Sequence, residues 1–310
     1  MIIMEDNFST KLQYKTYIAL GSFDGLHKGH MKLVKEAKKM AKENNGKSMV
    51  FTFKDHPLNV INKEIAPKIL LDNPSKAKIL EKNGVDIVNF IDFDKECMEL
   101  SPEDFIKKML YYYNADGFVV GFNYRFGYKN LGDIELLNKM SQEFNFNLNV
   151  VSPVKYLNEV ISSSKIRHIL IDDGNVDKAK KMLGRNYFLK GNVVRGKQLG
   201  RKLGFPTVNL NYNTKYVLPR GGVYYTLIEY KNKLYKGITN VGYNPTVEDK
   251  KLNIETHILD FHEDIYGEDI IIYFSKRIRD EKKFSSLEEL KQQLEKDKIF
   301  AERQIVQINL

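Results

Sequence analysis

The rhythm of apolar runs changes once along this chain of 310 residues, and that change limits the folds open to it. From residue 15 to about 184, short strand-like runs alternate with amphipathic helical stretches. The run "KTYIAL" precedes a helix from about Gly29 that carries Leu33, Val34, Ala37 and Ala41 on one face, and "SMVFTF" reads as the next strand. "NPSKAKILEKNG" is helical ahead of the strand "DIVNFIDF". Ser101 and Asp104 cap "PEDFIKKMLYYY", where Pro102 suits the first turn. "DGFVVGF" is a short buried strand and "DIELLNKMSQEFN" another helix. Such alternation predicts an α/β unit, a parallel sheet covered on both faces, with ligands at the carboxyl ends of strands.

After "KKMLGRNY" the rhythm changes. "YFLKGNVV", "GVYYTLIEY", "KLYKGITNVG", "NIETHILDF" and "DIIIYFSKRI" are strand-like, separated by Gly, Asn or Asp turns, with "YKNKL" as a hairpin tip. This half predicts an antiparallel β-barrel. Ser286 and Glu289 form a capping box that opens a terminal helix with leucines at 287, 290 and 294. Two domains follow, residues 1–184 and 185–310, with no internal repeat.

Composition narrows the setting. With 42% hydrophobic and 29% charged residues the chain is globular, and no apolar stretch approaches the roughly 18 residues of a membrane span. The start "MIIMEDNFSTK" lacks the apolar core of a secretory signal, so the expected location is the cytoplasm. The single Cys97 excludes an internal disulfide framework or a cysteine metal cluster. A net charge of +9 suits nucleic acid, an anionic surface or phosphorylated small molecules. Most of the excess is lysine on helical faces such as "KLVKEAKKMAKENNGK", which reads as solvated surface. The scarcer Arg125, Arg167, Arg201 and Arg279 are candidates for phosphate or planar-ring contacts.

"GSFDGLHKGH", residues 21–30, directly follows "YIAL". A strand ending at Gly21, a turn through Gly25 and a helix from Gly29 place backbone N–H groups and a positive helix end where an anion can sit. His27 and His30 can both donate to that anion. A capped helix with incidental histidines and a metal pair are the rival readings, the latter without further ligands nearby. The His-x-Gly-His form is a nucleotidyltransferase signature, in which catalysis is positioning and charge stabilisation at an α-phosphorus. "GFNYRFG" puts Asn123 and Arg125 at another strand's carboxyl end. "ISSSKIRHIL" opens a helix with Ser162, Ser163 and Ser164 before Arg167, as a phosphate clamp or as plain helix caps. "AKENNGKS" is not a P-loop, because Ala41 stands where the first glycine is required. The run Tyr111–Tyr113 reads as partly buried helix.

In order, "GSFDGLHKGH", "FTFKDHP", "GFNYRFG" and "ISSSKIR" resemble the bacterial bifunctional riboflavin kinase and FAD synthetase family. The likeness continues through "GNVVRGKQLGRKLGFPTVNL", "GVY", "NVGYNPT", "IETHILDF", "IYG" and "IRDEKKF", nearly the whole chain. It implies a Rossmann-like nucleotidyltransferase domain that transfers AMP from ATP to FMN, and a riboflavin kinase barrel. By resemblance Gly21, Phe23, Asp24 and Gly25 belong to the ATP site, His27 and His30 contact the phosphates, Asn123 lies in the nucleotide and magnesium region, and Ser162, Ser163, Ser164 and Arg167 hold the triphosphate. Ser164 stands where the family usually has threonine, and Asp55 where proline is common.

In the second half, Gly196, Gly200 and Gly204 with Lys197, Arg201 and Lys202 make a flexible basic loop suited to phosphates, or a plain surface loop. The resemblance makes Thr207 and Asn209 of "PTVN" oxygen ligands for Mg2+ and Glu255 the catalytic base, and puts Arg279 near the flavin ring or diphosphate. Riboflavin, FMN and ATP are then the partners and FAD the final product, with no nucleic acid or membrane. The alternatives are a FAD synthetase with a flavin-binding barrel, or a non-catalytic flavin-sensing or nucleic-acid-binding regulator.

Overall fold

A computed structural model describes residues 1–62, 64–196, 200, 203–243 and 252–308. Packing divides the chain into two compact units, Met1–Ser162 and Ser163–Leu310.

The first unit is a six-stranded, wholly parallel sheet. Its strands are β1 (Ile2–Met4), β2 (Thr16–Leu20), β3 (Lys47–Phe53), β4 (Ile87–Ile91), β5 (Ala115–Gly121) and β6 (Asn147–Val151), in the order β1-β4-β3-β2-β5-β6. β2 and β4 are buried along their whole length, which is why they read as continuous apolar runs rather than alternating ones. Helix α1 (Lys28–Glu43) lays the expected Leu33, Val34, Ala37 and Ala41 on the sheet. After β4 the chain returns across β2 to form β5. The strand order therefore reverses at β2, and the crevice outside the carboxyl ends of β2 and β5 is the place where open α/β sheets bind ligands. Two short helices, α2 (Leu58–Ile61) and α4 (Lys95–Glu99), lie in connections; α3 (Asn73–Lys82), α5 (Pro102–Tyr113) and α6 (Ile134–Glu143) complete the layers. Ser101 caps α5 as expected, its hydroxyl accepting from Asp104 N at 3.0 Å. A small hairpin of β7 (Lys155–Tyr156) and β8 (Glu159–Val160) ends the unit.

In the second unit a closed antiparallel barrel runs β10-β13-β12-β11-β14-β9. Its strands are β9 (Tyr187–Val194), β10 (Val208–Tyr212), β11 (Gly222–Tyr230), β12 (Lys233–Tyr243), β13 (Leu252–Ile258) and β14 (Asp269–Arg279). Lys231 and Asn232, both with positive φ, form the β11–β12 tip, the mirror-image turn that matches strand twist. Inside, the hydroxyls of Thr226, Thr239 and Thr256 form a chain with links of 2.8 and 2.9 Å, so these buried polar groups satisfy one another. Helices α7 (Ser163–His168) and α8 (Val176–Leu183) belong to this unit, α8 packing on β14 and β9, although their rhythm continues that of the first half.

The terminal helix Leu287–Glu302 differs from expectation in two details. Ser286 Oγ accepts from Glu289 N at 3.1 Å, but the Glu289 carboxylate reaches Ser285 N at 3.0 Å rather than the backbone of Ser286. Leu287 is 71% exposed; the helix buries its C-terminal part, Asp297 and Ala301, where it packs against β12.

Candidate active sites

In the first unit Gly21 follows β2, and the turn Gly21–Leu26 leads into α1. Phe23, Gly25 and Leu26 all have positive φ (47°, 78° and 39°), and Phe23 and Leu26 are fully buried, so core packing holds a turn that free chain would avoid. His27 is the N-cap of α1. Its Nδ1 accepts from His30 N at 3.2 Å, which leaves the proton of the neutral ring on Nε2. The two imidazoles stack with centroids 3.6 Å apart, and Phe23 packs against His30 at 5.2 Å. A Cβ on Gly29 would stand 3.0 Å from the His27 ring, so glycine there lets the ring fold over the helix start. His27 and Asp24 are buried, and Asp24 Oδ1 accepts from Leu70 N at 3.0 Å.

Asn123 lies just beyond the end of β5, exposed, on the other side of the switch point. Arg125, which shares that loop, pairs with Asp133 at 3.2 Å and so anchors the start of α6. Ser162 closes the first unit, whereas Ser163, Ser164 and Arg167 lie in the second, on α7. One residue in the first unit escapes sequence reasoning. Lys76 is buried, with its Nζ 3.5 Å from the Ser22 carbonyl. The signal was its position one helical turn before the buried Leu80.

The second unit assembles its polar residues on the outer face of the barrel. Register sets Asn209 directly opposite Glu255, while their neighbours Leu210 and Ile254 turn inward. Asn253, two residues before Glu255 and therefore on the same face, was missed; strand alternation could have found it. Its Nδ2 donates to Asn209 Oδ1 at 2.9 Å and to Glu255 Oε1 at 2.8 Å. Gly196 packs so closely on Asn209 that a Cβ would lie 2.0 Å from its Nδ2, and a Cβ on Gly200 would likewise lie 2.2 Å from the Phe205 carbonyl oxygen. Gly204, with φ 82° and open space around it, is a turn residue. Lys197, Arg201 and Lys202, and the later part of "NVGYNPT", lie outside the described residues.

Thr207 lines a cavity of about 280 Å³ together with Pro206, Phe261, His262 and Tyr266. The His257 imidazole contacts the Pro206 carbonyl at 2.8 Å, and burial pushes its pKa down. Arg195 lies over the Tyr266 ring at 5.2 Å. Arg279 sits elsewhere in the network: its guanidinium grips buried Asp297 through Nε at 3.0 Å and a second nitrogen at 2.8 Å, tying β14 to the terminal helix.

The hydroxyl oxygen of Thr207 and the amide oxygen of Asn209 are hard donors that fit magnesium rather than a soft metal. Among the described residues, no helix is long and apolar enough to cross a membrane.

Comparison with known proteins agrees with both halves. A family model described as FAD synthetase matches residues 9–165, and one described as riboflavin kinase matches residues 183–305. A bifunctional riboflavin kinase/FMN adenylyltransferase from Bacillus subtilis (strain 168) is 36% identical over 92% of this chain and 91% of its own length. One from Escherichia coli (strain K12) is 34% identical over 95% and 94%. The crystal structure of a macrolide-efflux protein from Streptococcus pneumoniae matches with a TM-score of 0.88 and 32% identity, covering 98% of this chain and 99% of that one. The chain belongs to the bifunctional riboflavin kinase/FMN adenylyltransferase family.

Proposed function

We propose that this chain makes FAD from riboflavin in two steps, each on its own site. The kinase half, residues 185–310, phosphorylates riboflavin with ATP to give FMN and ADP. The adenylyltransferase half, residues 1–184, then joins FMN to the AMP moiety of a second ATP and releases pyrophosphate. The observation that carries this reading is that one chain builds two separate polar sites, the histidine-capped turn at the sheet's switch point and the Asn209–Asn253–Glu255 cluster on the barrel.

In the kinase half, Glu255 accepts the proton of the ribityl 5′-hydroxyl as that oxygen attacks the γ-phosphorus; the γ-phosphoryl bond to ADP breaks. Thr207 and Asn209 would hold a magnesium ion, which neutralises phosphate charge when bound. Gly196, Lys197, Gly200, Arg201 and Gly204 cover the phosphates, and the cavity beside Thr207 takes one nucleoside-sized group. Arg279 serves the flavin only through hydrogens left over from its bonds to Asp297 and to the Asp280 carbonyl, which Nη1 reaches at 3.1 Å.

In the adenylyltransferase half, an FMN phosphate oxygen attacks the α-phosphorus. Backbone N–H groups at Phe23, Asp24 and Gly25, with His27 Nε2 and His30, stabilise the charge gathering on the phosphates, while Gly21, whose own N–H is bonded to the Phe51 carbonyl at 3.3 Å, leaves room for them to approach. Asn123 orients the nucleotide, and Ser162, Ser163, Ser164 and Arg167 hold the outer phosphates. The partners are small molecules of the cytoplasm, and the charge of +9 serves polyphosphate rather than nucleic acid.

Opposite failures of two variants test the division. Glu255→Gln keeps size but removes basicity, so riboflavin phosphorylation should fall by roughly 10²- to 10⁴-fold while FMN adenylylation survives. His30→Ala should depress adenylylation on the order of 10²-fold and spare the kinase, so that FMN accumulates. A folded variant that loses both activities equally would refute the two-site division.

A further inference from the structure

Lys76 is 4% exposed and carries its ammonium into the interior from α3, whose Ser75, Ala77 and Leu80 are buried as well. Removing such a charge from water is costly unless fixed groups compensate it, and an apolar side chain would fill the same space without that cost. The compensating groups lie on the turn Gly21–Leu26. Lys76 Nζ approaches the Ser22 carbonyl at 3.5 Å and is attracted by Asp24, with Asp72 at the start of its own helix as a further carboxylate.

Other contacts grip the same turn. Thr52 Oγ1 of β3 donates to the Ser22 carbonyl at 2.8 Å, and Leu70 N donates to Asp24 Oδ1 at 3.0 Å. The Phe90 ring of β4 lies 5.7 Å from the ammonium. Lys76, Thr52 and Leu70 each engage an oxygen of the turn, a carbonyl or a carboxylate. That choice matters at an anion site, because an oxygen turned toward the phosphates repels them, whereas the N–H edge attracts them.

We propose that Lys76 is a positioning residue for adenylyl transfer: its ammonium holds the Ser22 carbonyl and the Asp24 carboxylate on the α3 side of the turn, which leaves the N–H edge and His27 facing the ATP phosphates. The proposal rests on the placement of ATP at this turn.

Loss of the ammonium has a signature. Burial pushes the Lys76 pKa down from 10.5 to about 8, against the pull of Asp24 and Asp72. Adenylyl transfer should therefore decline as the pH rises through about 8. Thr52 and Phe90 bring no titrating charge from β3 and β4.

The test measures FMN adenylylation between pH 6.5 and 9.5 for the full chain and for Lys76→Met, Lys76→Arg and Lys76→Met/Asp24→Asn, with riboflavin phosphorylation in the same samples as reference. At pH 7, Lys76→Met should lose about 10- to 100-fold in kcat/KM for ATP, relative to the kinase, and lack the decline near pH 8. Lys76→Arg should keep activity and carry it past pH 9. Adding Asp24→Asn, whose amide oxygen can still accept from Leu70 N, should recover part of the loss, a rescue that simple filling of space does not give.

Lys76→Met with unchanged rate and unchanged pH profile overturns the proposal. So does a loss that Asp24→Asn leaves untouched while the decline near pH 8 persists. If Lys76→Arg does not fold, the Met and Met/Asn pair decides. His30→Ala separates the two levels: normal adenylylation in that variant overturns the placement of ATP, whereas its expected loss beside a normal Lys76→Met overturns the role of Lys76 alone.

Discussion

Replacing Gly196 with alanine is a small perturbation whose consequence follows from a single distance. A Cβ at residue 196 would stand 2.0 Å from Asn209 Nδ2, and a Cβ atom essentially never has a neighbour closer than 3.0 Å. Something must therefore shift by about 1 Å, and the end of the Asn209 side chain gives way more cheaply than backbone. Its Oδ1 is bonded to Asn253 Nδ2 at 2.9 Å, and the same Nδ2 holds Glu255 Oε1 at 2.8 Å, so the shift reaches the proposed base. A misplacement of about 1 Å in a catalytic group costs on the order of 10²-fold in rate. A weakened Asn209–Asn253 bond costs only about 1 kcal/mol of stability, so the variant should stay folded. The assay follows riboflavin, FMN and FAD over time in one reaction: Gly196→Ala should phosphorylate riboflavin about 10²-fold more slowly and adenylylate supplied FMN at the normal rate. In an Asn209→Ala background the added alanine meets no amide, and its effect should largely vanish, the non-additivity expected of groups in contact. Normal riboflavin phosphorylation by folded Gly196→Ala, or full additivity with Asn209→Ala, would refute the reasoning.

Two further outcomes are expected. Both steps act on polyphosphate beside oxygen donors, so EDTA should stop FMN and FAD formation, and magnesium rather than zinc should restore them; full activity in EDTA would contradict this. Asp297→Ala strips the buried partner from Arg279 and should destabilise the barrel unit by about 3 kcal/mol, read as a lower denaturation midpoint; an unchanged midpoint would show that the pair contributes little.

Sequence determined what depends on near neighbours along the chain. The unbroken apolar run "YIAL" ahead of a glycine turn reads as a buried strand, and the spacing of Leu33, Val34, Ala37 and Ala41 reads as one face of a helix, as both are. The Ser101 cap and the Lys231–Asn232 hairpin tip are local too, because each rests on turn chemistry and hydrogen bonds spanning a few residues; the turn before His27 and His30 is legible from its glycines, but the buried Phe23 and Leu26 hold its positive φ angles. Alternation along a strand also told which face Glu255 shares, although not with whom.

Partner choice was decided by the tertiary structure. Arg125 and Arg279 carry the same guanidinium, and nothing within a few residues of either says that one meets Asp133 and the other a carboxylate on the terminal helix. Asn209 and Glu255 become neighbours only when the barrel closes in one register, which in turn makes Asn253 a bridge between them. Lys76 looks like any solvated helix lysine until α3 docks and turns it toward Ser22 and Asp24. Helix α8 keeps the rhythm of the first half yet packs on the barrel, with α7 beside it in the same unit, because rhythm records which face is apolar and not which surface covers it. Periodicity is a property of the backbone's own repeat, whereas contacts between distant residues depend on how whole elements are packed, and a single sequence states the first far more directly than the second.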